Sequence, residues 1–351
     1  MRILVGVNAQ QQGHFARAAQ LIPRLRERGH TVRTLSSGQP LPRFPDWASE
    51  DHAHFDGLPY VERDGRTDLA ATAATWTRTL PRLLAIRRRV ERLIGLWRPD
   101  LIISDFEIHT GGPGLRADCP VVSACRQNAV LDPSIPLPEG GRGRQITRTV
   151  IRLFTMGADR RLAYHFAPAS PRCLPPMLRA ELIELSGPPP AMPDGPLLVY
   201  NSQHFGDGGD LNSLRRFAAS TGREIVAYGY PGEPRRTFAE GNGRVTLRPA
   251  SRTGLLEDMR AASAVATTAG FALPLEAALL GKPTLAVPLP GQWEQTVNAA
   301  QLESLGLAHA SDRWDLTGLS ERPAPTIPID LRRWLTQPVD AIVDAILAIA
   351  R

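Results

Sequence analysis

Apolar residues of the N-terminal half alternate between two patterns: short uninterrupted runs and longer stretches with helical spacing. Residues 3–7 form a continuous apolar run, which is typical of a strand buried on both faces. The next apolar positions recur every three or four residues and predict a helix: Phe15, Ala18, Ala19, Ile22 and Leu25. Gly29 is expected to end that helix. Strand followed by helix is the rhythm of an α/β protein.

The same rhythm continues along the chain. A long helix is expected over 83–97, stopped by Pro99, and a basic helix over about 145–158 after a Pro- and Gly-rich loop at 132–145. Further strands of this half are predicted at 31–35, near 58–61, and at 101–104, 120–123 and 162–167. A second series is predicted at 197–200, 224–228, 245–247, 264–267 and 284–287, and a helix over 339–350 closes the chain.

Nine prolines between 168 and 196 interrupt the alternation and predict a stiff connector. We therefore expect an N-terminal domain at 1–168, a linker at 169–196, a second domain at 197–335 and a terminal helix at 336–351. The predicted architecture is two facing Rossmann-like domains with parallel sheets and a cleft between them.

Composition argues against one class of protein, the nucleic-acid binders. The net charge is +6, but 40 of the 41 basic residues are arginines, and they are scattered. This bias reflects either the coding of a GC-rich genome or recognition of an anionic ligand. Aromatic residues make up only 6% of the chain, which argues against nucleic-acid binding. The three cysteines have neither zinc-ligand nor CxxC spacing and are expected to be reduced thiols.

Two basic segments, 78–98 and 142–161, allow two interpretations. They are either solvated arginine faces of packed helices or surfaces that touch an anionic membrane or a lipid-phosphate acceptor. The chain shows no signal peptide and no apolar run long enough to span a bilayer. The expected location is cytoplasmic, with peripheral contact at the inner membrane face as the open alternative.

Candidate chemistry in the N-terminal half lies after two predicted strands. His14 follows the first strand, at the start of a helix where a neutral imidazole is favoured. Asp105 follows the strand at 101–104, and a carboxylate paired with His14 would orient the ring. The alternative for each residue is a cap or an ordinary surface side chain.

The C-terminal half carries the denser signal, in residues 263–307. Thr268 and the backbone around Gly270 lie between a strand and a helix start, where N–H groups can bind a phosphate. Glu276 lies in the helix that follows and could accept hydrogen bonds from ribose hydroxyls. Glu294 and Gln295, just past the next strand, suit sugar hydroxyls or a helix cap. Ser202 is a weaker candidate for phosphate.

Several motifs are missing from the sequence: Walker A, GxGxxG, HExxH and the nucleophile elbow. There is also no Asp-x-Asp that could hold a metal-bound diphosphate. The sequence therefore predicts no metal and no cofactor, with anion charge neutralised by N–H groups, a helix dipole and hydroxyls.

These motifs together resemble GT-B glycosyltransferases that use nucleotide-sugar donors, a superfamily that includes MurG and the macrolide glycosyltransferases. The resemblance is to a prokaryotic branch with Gly-His-x-x-Arg at residues 13–17 and Gly-Gln-x-Glu-Gln at 291–295. Three further segments match this branch: Pro-Asp-Leu-Ile-Ile-Ser-Asp at 99–105, Pro-Pro-Met-Leu-Arg at 175–179 and Asn-Ala at 298–299.

The resemblance implies a role for each matching residue. His14 would be the general base with Asp105 as its partner, and Glu276 would bind ribose. The other candidate contacts are Thr268, Ala269, Gly270 and Phe271 with the diphosphate, Glu294 and Gln295 with the donor sugar, and Gln12, Gly13 and Arg17 with the acceptor; of these, Thr268 and Gln12 do not match the family pattern. The first domain would bind the acceptor, the second the donor, and the terminal helix would pack on the first domain.

This sequence departs from its relatives at two places. Many of them carry histidine at the position of Thr268, and others have a glycine-rich loop where this chain has three glutamines at 10–12. The sequence thus predicts an inverting, metal-independent transferase acting from a UDP- or dTDP-sugar on a small-molecule or lipid-linked acceptor. The alternatives are a nucleotide-sugar 2-epimerase or hydrolase, and a non-catalytic nucleotide-sugar-binding partner.

Overall fold

The chain forms two compact units in a computed structural model. The structure describes residues 1–10, 12–41, 44–59, 61–63, 66–67, 69–184, 192–201, 209–229 and 236–350. Unit 1 comprises Met1–Met177 and Trp334–Arg351, and unit 2 comprises Leu178–Arg333.

Unit 1 alternates strands and helices from its first residues. Its strands are β1 (Arg2–Asn8), β2 (Thr31–Gly38), β3 (Ala53–Asp56), β4 (Glu62–Arg63), β5 (Arg66–Thr67), β6 (Leu101–Asp105), β7 (Val121–Ala124), β8 (Arg160–Tyr164) and β9 (Cys173–Leu174). Its helices up to Met177 are α1 (Gln12–Glu27), α2 (Leu69–Trp97), α3 (Ile108–Gly111) and α4 (Gly141–Thr155), with a 3-10 turn at Arg126–Val130.

The main sheet of unit 1 is parallel, with strand order β3-β2-β1-β6-β7-β8-β9. The order reverses direction between β1 and β6, so this pair is the switch point where ligands bind in open α/β sheets. The register pairs Val7 with Asp105 at the carboxyl ends of the two strands. Every residue of β6 is buried, as the apolar run predicted.

Some predicted elements of unit 1 were misplaced, and the long helix expected over 83–97 begins earlier, at Leu69. The strand expected near 58–61 lies at β3, and Leu58 is buried outside any strand. In the loop after β3, Gly57 packs against Gly38, and a Cβ added at Gly57 would lie 2.9 Å from the Gly38 Cα. The apolar residues that predicted a strand at 58–61 therefore follow β3 and do not form it. The basic helix starts at Gly141, four residues earlier than expected, since its opening glycines masked the helical pattern.

Unit 2 repeats the same plan. Its strands are β10 (Leu197–Tyr200), β11 (Glu224–Tyr228), β12 (Arg236–Glu240), β13 (Gly243–Leu247), β14 (Ala264–Thr268), β15 (Thr284–Val287) and β16 (His309–Ala310). Its helices are α5 (Ala180–Ile183), α6 (Leu211–Thr221), α7 (Arg252–Ala261), α8 (Ala272–Leu279) and α9 (Trp293–Ser304), with a 3-10 turn at Leu319–Glu321.

The sheet of unit 2 has the order β12-β13-β11-β10-β14-β15-β16, with its switch point between β10 and β14. All pairs are parallel except β12 with β13, an antiparallel edge that the sequence did not predict. Leu197 and Val199 belong to one buried cluster and Leu198 to another, so apolar groups cover both faces of the sheet. The predicted α/β class with parallel sheets is confirmed.

The connector region contains short regular elements. Cys173–Leu174 extends the sheet of unit 1, and α5 belongs to unit 2, where Leu182 is fully buried. The chain then ends with α10 (Ile329–Leu335), α11 (Val339–Leu347) and a 3-10 turn at Ala348–Ala350. Within unit 1, α11 packs on α1, and Arg24 Nη2 donates to Asp340 Oδ2 at 2.5 Å.

Candidate active site

The unit 1 site lies where β1 and β6 end. Asp105 is the last residue of β6, and His14 is the third residue of α1, which follows β1. His14 Nδ1 lies 2.8 Å from Asp105 Oδ1, and both residues are buried. His14 Nε2 makes no hydrogen bond to any described residue. One ring nitrogen is therefore hydrogen-bonded, and the other is left without a partner in the described part of the chain.

Arg17, one turn further along α1, joins this pair. Its Nε donates to Asp105 Oδ2 and its Nη2 to Asp105 Oδ1, each at 2.8 Å, which is the bidentate geometry of a strong ion pair. Arg17 Nη2 also lies 2.7 Å from His14 Nδ1. Nδ1 can donate a hydrogen bond to Asp105 when it is protonated, or accept one from Arg17 when it is not, so this cluster sets the tautomer of His14.

Burial and the neighbouring charges act in opposite directions on the pKa values of this cluster. Burial alone would raise the pKa of Asp105, but Arg17 and then His14 outweigh it and lower that pKa below its usual value. Burial would lower the pKa of Arg17, yet the Asp105 charge raises it. The guanidinium also lies 5.2 Å from the centre of the Tyr164 ring. The carboxylate is therefore ionised at neutral pH.

Phe106 and Asn8 position His14 and were not predicted as site residues. Phe106 has φ +55°, a left-handed conformation that is strained for a bulky side chain, directly after Asp105. The Asn8 amide donates to the Phe106 carbonyl at 2.9 Å. The Phe106 ring stacks on His14 with an interplanar angle of 7°. A strand-end asparagine and the residue after the predicted Asp were the only signals available.

Gly13 and Gln12 open α1. A Cβ at Gly13 would meet only Arg17 Nη1, at 3.8 Å, so nothing nearby requires a glycine there. Gln12 is the first residue of the helix.

The unit 2 site begins at the turn after β14. Ala269 N–H donates to the Val287 carbonyl of β15 at 2.9 Å and Gly270 N–H to the Thr268 carbonyl at 2.7 Å, so both N–H groups already have partners. Phe271 is the N-cap residue of α8 and makes no side-chain capping bond. The next two N–H groups, of Ala272 and Leu273, have no partner among the described residues. These first-turn groups are the ones placed to meet an anion.

Glu276 lies one turn into α8 and is only 4% exposed. Its Oε1 accepts from Arg179 Nε at 3.1 Å, and within the described residues its Oε2 has no hydrogen-bond partner. Burial raises the pKa of Glu276, opposed by Arg179 and Arg252. This carboxylate is half satisfied, with one oxygen able to accept hydroxyl groups. Arg179 ends the Pro-Pro-Met-Leu-Arg motif, but the sequence did not predict it as a site residue.

Glu294 and Gln295 lie in the first turn of α9. Gln295 Oε1 accepts from Leu289 N–H and its Nε2 donates to Gln292 Oε1, each at 3.0 Å, so this side chain orders the preceding loop. Asn298 Nδ2 donates to the Ala269 carbonyl at 3.1 Å and ties α9 to the turn after β14. Ser202 lies outside the described residues.

Two features are absent from the described part of the chain. No three His, Cys, Asp or Glu side chains among the described residues are grouped to hold a metal ion. In the same part of the chain, no helix combines the length and the apolar character needed to cross a bilayer.

Two doubly wound units, each with polar groups at the carboxyl edge of a parallel sheet, define the GT-B class of glycosyltransferases. The model of glycosyl transferase family 1 matches residues 1–321. The chain belongs to that family and is a glycosyltransferase.

Solved structures support the fold at low sequence identity. The glycotransferase of kitacinnamycin matches with a TM-score of 0.60 and 15% identity, covering 99% of this chain and 95% of that one. SnogD from Streptomyces nogalater gives a TM-score of 0.55 and 16% identity over 100% and 99% of the two chains. VinC in complex with dTDP gives a TM-score of 0.51 and 17% identity, covering 100% of this chain and 94% of that one. Among curated proteins, none matches this sequence.

Proposed function

We propose that this enzyme transfers a sugar from a UDP- or dTDP-sugar to an acceptor hydroxyl of a small-molecule natural product or glycoconjugate, with inversion and without a metal. The observation that carries the proposal is the half-satisfied, buried Glu276, whose open Oε2 suits ribose hydroxyls. The dTDP bound by VinC, a protein of the same fold, supports a nucleotide donor.

Unit 1 supplies the base in this proposal. With its Nδ1–H donating to Asp105, His14 has an unprotonated Nε2 that takes the proton from the acceptor oxygen as that oxygen attacks C1 of the sugar. The C1–O bond to the diphosphate breaks and the electron pair leaves with the nucleotide. Attack opposite the leaving group inverts the anomeric centre.

Unit 2 supplies the donor contacts. The first-turn N–H groups and dipole of α8, with the Thr268 hydroxyl, would stabilise the departing diphosphate. Glu294 and Gln295 would contact the donor sugar. A chain without an Asp-x-Asp sequence can neutralise the leaving group in this way without a divalent ion.

The test incubates the enzyme with UDP- and dTDP-sugars, with and without a panel of hydroxyl-bearing aglycones, with EDTA in a parallel series. We expect glycoside formation from one donor class, NMR evidence of an inverted anomeric centre and no loss with EDTA. Epimerised or free sugar formed at the same rate without an acceptor would indicate the epimerase or hydrolase instead. Retained configuration would rule out this role for His14.

A further inference from the structure

Arg179 joins three parts of unit 2 at one point. It lies just before α5, whose Leu182 is buried in the same apolar cluster as Leu255 of α7 and Leu280. Its Nη1 donates to the carbonyl of Arg252, the first residue of α7, at 2.6 Å. Its Nε reaches Glu276 of α8. The guanidinium is therefore held on both sides before any ligand binds.

The ion pair with Glu276 is well shielded from solvent. The side chains of Arg179 and Glu276 are 12% and 6% exposed. A buried carboxylate without a cation is costly and tends to take up a proton. Only one oxygen of Glu276 is used by Arg179, so the arginine compensates the charge and leaves the other oxygen unoccupied.

We propose that Arg179 is a positioning residue of the donor site, which keeps the Glu276 carboxylate charged and fixes it so that Oε2 can accept hydrogen bonds from the donor ribose. This inference rests on the proposed function of Glu276. It adds that nucleotide affinity depends on a residue that need not touch the nucleotide.

The charged groups around Glu276 decide the sign of the expected pH effect. Arg179 and Arg252 favour the charged carboxylate, whereas burial and Glu181 of α5 favour the protonated one. Removing Arg179 takes away a charge that lowers the pKa of Glu276, so the effect of burial dominates and that pKa rises further. A growing fraction of Glu276 is then protonated towards neutral pH, where it accepts weaker hydrogen bonds. Nucleotide affinity in such a variant should recover as pH rises.

The experiment measures dTDP and UDP binding to the full chain by calorimetry, from about pH 6.5 to about pH 8.5. The matched control is Arg244→Gln, which breaks an arginine–glutamate pair with Glu224 at the opposite, amino edge of the same sheet. We expect Arg179→Gln to lose about tenfold or more in affinity at neutral pH and to regain part of it at high pH. Arg179→Lys should keep most of the affinity. An Arg179→Gln variant with the affinity and pH profile of Arg244→Gln would overturn the proposal.

A double variant separates positioning from direct contact. If Arg179 acts through Glu276, Arg179→Gln combined with Glu276→Gln should bind no more weakly than Glu276→Gln alone. This pair also removes both buried charges, so it remains informative if Arg179→Gln does not fold. A further loss in the double variant would show direct contact and refute the positioning role. Unchanged binding in Glu276→Gln would refute the ribose assignment itself.

Discussion

His14 has one ring nitrogen within reach of two groups of opposite charge and one that is open. Asp105 can accept a hydrogen bond from Nδ1, whereas Arg17 can only donate a hydrogen bond to Nδ1. The bidentate pairing of Arg17 with Asp105 gives the guanidinium better acceptors than the ring, so we infer that Nδ1 carries the proton. The open Nε2 is then unprotonated and can act as a base.

Replacing His14 tests this role. General-base assistance contributes roughly 10²–10⁴-fold, so His14→Ala should lower kcat by that factor, a barrier increase of about 3–5 kcal/mol. Affinity for dTDP or UDP should change less than about twofold, because the nucleotide contacts are assigned to unit 2. Steady-state kinetics and calorimetry on the same preparation would measure both.

The control for this variant is His30→Ala. His30 precedes β2 at the amino edge of the sheet, away from the switch point, and its loss should leave kcat unchanged. Turnover of His14→Ala at the rate of the His30→Ala variant would remove His14 from the mechanism.

At the scale of elements, many arginines on the basic helices serve the fold. Arg87 of α2 donates to the carbonyls of Ile108 and His109, at 2.9 and 2.7 Å. Arg89 lies 5.3 Å from the centre of the Phe55 ring. Arg148 of α4 donates to the Val130 carbonyl at 2.5 Å. These arginine side chains contact other residues of unit 1. Membrane contact through the two helices stays a prediction.

A histidine network beside β2 makes unit 1 sensitive to acid. His52 is buried and shares its ring nitrogens with the hydroxyls of Thr34, at 2.8 Å, and Ser36, at 3.0 Å. Burial, followed by the neighbouring His54, lowers the pKa of His52 to about 4, while Asp51 acts in the opposite direction. The unfolded chain would bind a proton at about pH 6.5, which the folded chain resists.

The sign of the pH effect follows from this lowered pKa. The contribution of His52 to stability is complete above about pH 6.5 and is lost as pH falls towards about 4. One proton corresponds to about 1.4 kcal/mol per pH unit, so His52→Gln should flatten the fall of the melting temperature across this window. Differential scanning calorimetry would measure it, with His309→Gln, a half-buried histidine of unit 2 that lies 3.2 Å from Glu303, as the control. Equal slopes in wild type and His52→Gln would contradict the assignment.

At the scale of the whole molecule, the sequence predicted those strands and site residues that are encoded by residues close together along the chain. Buried parallel strands are continuous apolar runs, and site residues follow their carboxyl ends, so Asp105, Thr268 and most strands were predictable. Arg179 and Glu276 lie 97 residues apart, and only the three-dimensional structure shows that they meet. The strand at β3 was misplaced because the buried residue Leu58 lies in the loop that follows it.

The division of labour between the two units gives a prediction for the whole molecule. If unit 2 alone contacts the nucleotide, dTDP or UDP should slow amide exchange at 268–276 and 293–298, whereas the His14–Arg17 turn should exchange as in the free enzyme. A ligand at about 100 times its Kd stabilises the state that binds it by about 2.7 kcal/mol, which is enough to slow exchange clearly where opening disrupts the site. Hydrogen–deuterium exchange mass spectrometry resolves the two units in one experiment. Glu276→Gln should lose the protection at equal nucleotide concentration, and protection confined to unit 1 would show that the donor and acceptor sides have been assigned the wrong way round.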